Sequence, residues 1–124
     1  GIDWSFESIP EYLDMIERRG LALNVAAFIG HSSLRTYVMG AAATERAAND
    51  EEIAAMEAIV DEGMQAGAIG FATSTAPQHN GHAGIPMPSR LADDRELEAL
   101  GGVLRKHGRG IFILTKHHTC RVAR

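Results

Sequence analysis

Cysteine occurs once in these 124 residues, at Cys120. An internal disulfide is therefore excluded, and a reducing compartment, the cytoplasm, is the expected location. No apolar run approaches the ~20 residues of a membrane span, so no membrane is expected as a partner. Residues 1–20 carry no signal-peptide pattern. Basic residues are not in excess, with 12 Lys and Arg against 16 Asp and Glu, and the formal charge is −4. No basic stripe runs along the chain, and nucleic acid is not expected to bind. Four catalytic signatures are missing: G-x-S-x-G, a Walker loop, H-E-x-x-H and C-x-x-C. The glycine-rich stretch Gly81–Gly84 is a weak match to any phosphate cradle. What is present is a globular composition, 45% hydrophobic and 23% charged, with enough chain for one ordinary domain.

The order within that composition is a helix followed by an apolar run, three times over. Ser8-Ile9-Pro10-Glu11 opens the first helix as a capping box with Pro in the first turn. Ile9, Leu13 and Ile16 give it one apolar face, Arg18 and Arg19 suit the negative helix end, and Gly20 ends it. Leu21 to Ile29 is apolar at nearly every position, as a strand buried on both faces would be. Leu34 to Met39 reads as a short helix, and Ala41 to Arg46 fits either helix or loop. A second long helix starts at Asn49 or Asp50. Its buried stripe is Ile53, Met56, Val60, Gly63 and Met64, with Ile59 beside it. Gly63 costs about 1 kcal/mol against alanine in a helix, which points to a close approach to the sheet. Gly67 stops this helix, and Ala68 to Thr73 reads as a strand. A long Pro-, Gly- and His-containing loop runs from Ser74 to Ala92, a length that in a compact unit is functional or disordered. Asp93 or Asp94 caps a third helix with Leu97, Leu100 and Leu104 inward and Val103 flanking. Gly108 closes it, and Ile111 to Leu114 is the third strand.

Helices alternating with buried apolar strands define an α/β fold with three parallel strands. The arrangement is that of a partial (β/α)8 TIM-barrel segment. A complete barrel takes about 250 residues, so residues 1–124 are expected to be an internal fragment of a barrel domain. Three strands covered by helices on one face leave the other face and both edges open, which argues the same way. Non-native sequence is one reading of the tail, 116–124.

Catalytic groups of such barrels sit where the strands end. His31 follows the first apolar run and is a candidate to bind a metal, move a proton or hydrogen-bond a substrate. Its structural alternative is to order the loop by bonding backbone carbonyls. Arg35 is a candidate carboxylate clamp, or a structural ion pair. Thr73, Ser74 and Thr75 leave the second strand as candidate hydrogen-bond partners of a substrate, though Ser and Thr are also common in turns. His117 and His118 end the third strand and are the weak candidates for metal ligation. Adjacent residues of an extended strand point oppositely, so at most one of them faces the axis. His79 and His82 lie in the long loop and are expected to be solvated. His107, in the last turn of a helix, is expected to complement the helix dipole at the surface.

Several stretches together resemble the D-aminoacylase, or N-acyl-D-amino-acid deacylase, branch of the amidohydrolases. They are Trp4-Ser5-Phe6, Glu11-Tyr12-Leu13, Glu17-Arg18-Arg19-Gly20, Asn24-Val25-Ala26, Gly30-His31-Ser32-Ser33-Leu34-Arg35, Val38-Met39-Gly40, Glu51 to Met56, and Gly67 to Ser74. The resemblance covers about residues 4 to 115. It implies a metal-bearing barrel beside a small β-sandwich, and hydrolysis of the amide of an N-acyl D-amino acid or related small molecule. It implies zinc as cofactor, polarising the amide carbonyl and lowering the pKa of a bound water. The family's H-x-H metal pair would lie upstream and its catalytic aspartate downstream, so the partner of this chain would be the rest of its barrel. Where the family places a Thr-His pair after this third strand, the sequence reads Thr115-Lys116, and the metal role passes to no residue by matching. The alternative is a non-catalytic module that binds small ligands or assembles with other chains.

Overall fold

The computed structural model describes residues 4–116. Three parallel strands, β1 (Phe28–Gly30), β2 (Gly70–Ser74) and β3 (Ile111–Thr115), lie in the order β1-β2-β3. Helices α1 (Ile9–Arg19), α2 (His31–Met39), α3 (Asp50–Ala66) and α4 (Asp94–Lys106) alternate with them. The α/β class and the parallel strands agree with the sequence reading.

Local chemistry explains the helix starts. Ser8 and Asn49 each accept from the backbone N–H three residues on, while Glu11 and Glu52 reach back to the cap N–H, so both helices open with a complete capping box. Asp93 caps α4 through the Glu96 N–H. Gly67 ends α3 at φ +113°, a left-handed position that glycine takes without a Cβ penalty. Gly63 serves close approach: a Cβ there would lie 2.7 Å from Ile29 Cδ1 of β1.

Pairing register sorts the strand residues onto two faces. Ile29, Phe71 and Phe112 are laterally aligned, as are Gly30, Ala72 and Ile113, and as are Ser74 and Thr115. Side chains alternate along a strand. Ile29, Phe71, Thr73, Phe112 and Leu114 therefore share one face, and Gly30, Ala72, Ser74, Ile113 and Thr115 share the other. The first face meets the helices. Ile29 and Phe71 are buried there with Met56, Val60 and Met64 of α3 and Leu100, Val103 and Leu104 of α4 in one core cluster. The second face has no helix over it, and Ile111 and Ile113 stand about half exposed.

Beyond shifts of one or two residues at the ends of β2 and β3, the elements differ from the sequence reading in four places. The first strand is not Leu21 to Ile29 but only Phe28–Gly30. β2 offers partners from Gly70 onward, so the residues before Ala27 have no ladder to join, and Leu21, Leu23 and Val25 are exposed. His31 does not sit in a loop: it is the first residue of α2, which starts directly at the strand end and takes in the expected helix 34–39. The ambiguous stretch after it is a 3-10 turn, Gly40–Thr44. The long loop holds two more such turns, His82–Gly84 and Pro88–Leu91, and an antiparallel bridge between Asn80 and Pro86. Among the described residues no helix is long and apolar enough to cross a membrane.

Candidate functional site at the C-terminal rim

All three strands point their C-terminal ends the same way, and the polar side chains singled out above collect there. They form two tiers, one buried beneath the helices and one where the long loop meets the strand ends.

The inner tier faces the helices and is buried. His31 (1% exposed) lies between β2 and α4. Its Nδ1 is 2.7 Å from Thr73 Oγ1 and its Nε2 is 2.6 Å from Glu96 Oε1. Its ring also packs against Phe71 at 5.0 Å between centroids. Arg35, one turn further along α2, donates from Nη1 to the other oxygen of Glu96. Its Nη2 donates to the carbonyl of Arg46 at 2.8 Å, and its buried Nε has no protein partner. Arg35 and Glu96 are both completely buried. Such a pair is tolerated in low dielectric because each charge meets the other and further hydrogen bonds. Burial by itself pushes the Glu96 carboxyl up. The hydrogen bonds from His31 and Arg35 and the Arg35 charge outweigh it and hold Glu96 below the usual carboxylate range.

The outer tier ties the long loop to the rim. Ser89 (2% exposed) donates from Oγ to the Ser74 carbonyl at 2.8 Å and accepts from Ser32 Oγ at 3.0 Å. Ser74 Oγ accepts from the Ala76 N–H at 3.4 Å. The Thr75 N–H continues the β2–β3 ladder to the Thr115 carbonyl at 3.0 Å.

Of the five residues expected to meet substrate, the structure brings Ser74 (7% exposed) and Thr75 to the rim beside Thr115. It turns His31, Arg35 and Thr73 inward. The carboxylate that Arg35 clamps is Glu96 of the same chain, and His31 bonds a side chain on each flank rather than loop carbonyls. His79 and His82 are exposed on the loop and join neither tier. His107 is not simply a surface residue: it is partly buried, with Nε2 2.8 Å from Asp61 Oδ1 of α3. His117 and His118, the metal candidates, lie outside the described residues. Glu96 and Ser89 were not singled out from the sequence. A signal for Glu96 was there, since it stands four and seven residues before Leu100 and Val103 on the buried stripe of α4. Ser89 had none, because its partners are 57 and 15 residues away.

The donor set does not fit a metal. Among the described residues no three His, Cys, Asp or Glu side chains come together as ligands. Both ring nitrogens of His31 and both oxygens of Glu96 are already engaged. The zinc that the family resemblance implies finds no ligand set among the described residues.

The fold with this rim is that of known amidohydrolases. D-aminoacylase, solved as a member of a novel subset of amidohydrolases, superposes with a TM-score of 0.67 at 30% identity, over 85% of this chain and 20% of that one. The N-acyl-D-glutamate deacylase from Bordetella bronchiseptica, solved with zinc and a phosphonate inhibitor, gives a TM-score of 0.70 at 28% identity, over 94% of this chain and 22% of that one. In sequence, the D-aminoacylase of Alcaligenes xylosoxydans xylosoxydans is 37% identical over 115 residues, 88% of this chain and 22% of that protein. The N-acyl-D-aspartate deacylase of the same organism is 43% identical over 70 residues, 56% of this chain and 14% of that protein. No protein-family profile matches the chain. The chain is thus a homologue of the D-aminoacylase and N-acyl-D-amino-acid deacylase branch of the amidohydrolases, as its sequence motifs indicated. It spans about a fifth of the length of the curated relatives it matches.

Proposed function

We propose that this chain is one wall of a (β/α)8 barrel in a zinc-dependent hydrolase that cleaves the amide of an N-acyl D-amino acid. The observation that carries the reading is the pair of dissimilar faces. One side of the sheet is sealed by helices. The other has small residues at Gly30 and Ala72, apolar Ile113, and Ser74 with Thr115 at its C-terminal rim. An uncovered sheet face of that kind calls for further strands, and the rim is where such a barrel does its chemistry. The N-acyl-D-aspartate and N-acyl-D-glutamate deacylases named above act on N-acyl D-amino acids by their own descriptions, and they lend the substrate class.

In this reading the side-chain hydroxyls of Ser74 and Thr75 are offered to the substrate, their backbone groups being held by Ser89 and Thr115. His31 and Arg35 serve from behind, through Glu96. When bound, zinc would supply Lewis acidity and an activated water. Its ligands are assigned to residues other than those described. The single cysteine fits a reducing cytoplasm, which is the compartment we propose.

The test uses the full reading frame to which the chain belongs, purified with zinc. Release of amino acid from N-acetyl-D-methionine or N-acetyl-D-glutamate, with little from the L forms, is the expected result. A folded, zinc-loaded protein that releases nothing from either form would reject the reading and favour a binding module.

A further inference from the structure

The ladder that holds β2 is uneven. On its β3 side, residues 70 to 74 are all paired, with Ile111 to Thr115. On its β1 side, pairing stops at Ala72, because β1 ends at Gly30. Thr73 and Ser74 therefore leave the sheet core with no strand on one flank. Side chains take over there. His31, the first residue after β1, bonds Thr73 Oγ1, and Glu96 in the first turn of α4 holds His31 and Arg35 at once.

The proton arrangement follows from the partners. An ionised carboxylate only accepts hydrogen bonds, so His31 Nε2 must carry a hydrogen toward Glu96. In the neutral ring Nδ1 is then an acceptor, and the Thr73 hydroxyl must donate to it. Glu96 thus fixes which way a hydroxyl on a neighbouring strand points, without touching that strand. The second oxygen of Glu96, taken by Arg35, keeps the carboxylate charged. This agrees with its lowered pKa. Arg35 in turn anchors to the carbonyl of Arg46 beyond the 3-10 turn, so the hub joins β2, α2, α4 and that turn.

We propose that Glu96 is a positioning residue for the C-terminal rim: by selecting the Nε2–H tautomer of His31 it locks Thr73, and so sets where Ser74 and Thr75 stand. This goes beyond the hydrolase reading and does not need it. The lock is a property of the chain's own buried network, and the measurements below contain no substrate.

The experiment is site-resolved hydrogen exchange and imidazole ¹⁵N NMR on the 124-residue chain, wild type, Glu96→Gln and Thr73→Val. Wild type is expected to show the Nε2–H tautomer at His31 whenever the ring is neutral. A carboxamide has one acceptor oxygen and an NH2 in place of the second, so it cannot accept from both His31 Nε2–H and Arg35 and no longer selects that tautomer. Glu96→Gln should therefore speed exchange at the Thr75 N–H at least tenfold. The Ile69 and Ile111 N–H groups, at the opposite end of the sheet, should change less than twofold. Thr73→Val keeps the Glu96–Arg35 pair and should reproduce the same one-ended effect, at threefold or more. Equal acceleration at both ends means that Glu96 contributes only global stability, and it overturns the proposal. An Nδ1–H tautomer in wild type overturns it as well, even if Glu96→Gln fails to fold. The lock also fails if Thr73→Val leaves the Thr75 N–H unchanged. None of these outcomes bears on whether the parent hydrolyses N-acyl D-amino acids, which the turnover assay decides separately.

Discussion

The two faces of one three-stranded sheet have opposite characters. The helix side is closed, and its polar groups answer one another inside the chain. The open side carries small and apolar residues with hydroxyls at one end. The difference teaches where to look for each kind of effect. Changes in the apolar part of the closed side should be felt as stability, changes on the open rim as binding or turnover, and changes in the buried His31–Glu96 network as both.

The largest expected effect lies in the closed core. Phe71 is fully buried and touches both His31 and Phe112. Phe71→Ala should cost about 3–5 kcal/mol, whereas Ile113→Ala on the open face of the isolated chain should cost about 1 kcal/mol or less. Denaturant titration of both variants checks this, and similar losses would break the distinction between faces. Glu96→Ala strands Arg35 and His31 without their acceptor and should cost about 3–5 kcal/mol. In a deacylase built on this wall, His31→Ala is expected to lower turnover more than His107→Ala, because His107 belongs to the α3–α4 contact and not to the rim.

Acid sharpens the same contrast. Glu96 has a folded pKa below its ordinary value, so its contribution is complete above about pH 4.5 and is lost as pH falls through the lowered value. Glu52 behaves alike. The Arg46 hydrogen bond, then the Asn49 N–H, hold it down to about 2. Melting temperature should fall from pH 4.5 toward pH 2 in wild type, and by less in Glu96→Gln if that variant folds. An unchanged slope would mean that Glu96 is not the titrating group. The smallest effect is expected for Arg95→Ala, which removes solvent-exposed pairs with Asp50 and Asp93. Exposed pairs are worth about 0–1 kcal/mol, so a shift in unfolding midpoint near the error of the titration is the expected result.

Most of the fold was legible because helix caps and stripes are local. The Ser8–Glu11 box, the stripe from Ile53 to Met64 and the stop at Gly67 appear as read. Strand length was less legible, since it depends on what a partner offers. Leu21 to Ala26 has strand composition but no ladder. The rim was half legible. Strand-end placement found His31, Arg35, Ser74 and Thr75, yet hydropathy could not say that His31 and Arg35 turn inward. Their common partner, Glu96, is 65 and 61 residues away. A charged residue on an apolar stripe is the trace such a hub leaves in sequence.

The most direct test is a transplant. Residues 4–115 replace the homologous stretch of the Alcaligenes D-aminoacylase, which keeps its own sequence after this third strand. The account predicts zinc-dependent release of D-amino acid by the hybrid, with turnover lowered when the hydroxyls are removed by Ser74→Ala and Thr75→Val, which add no bulk at the buried Ser74, and melting little altered. A hybrid that folds and loads zinc but releases no D-amino acid would contradict it.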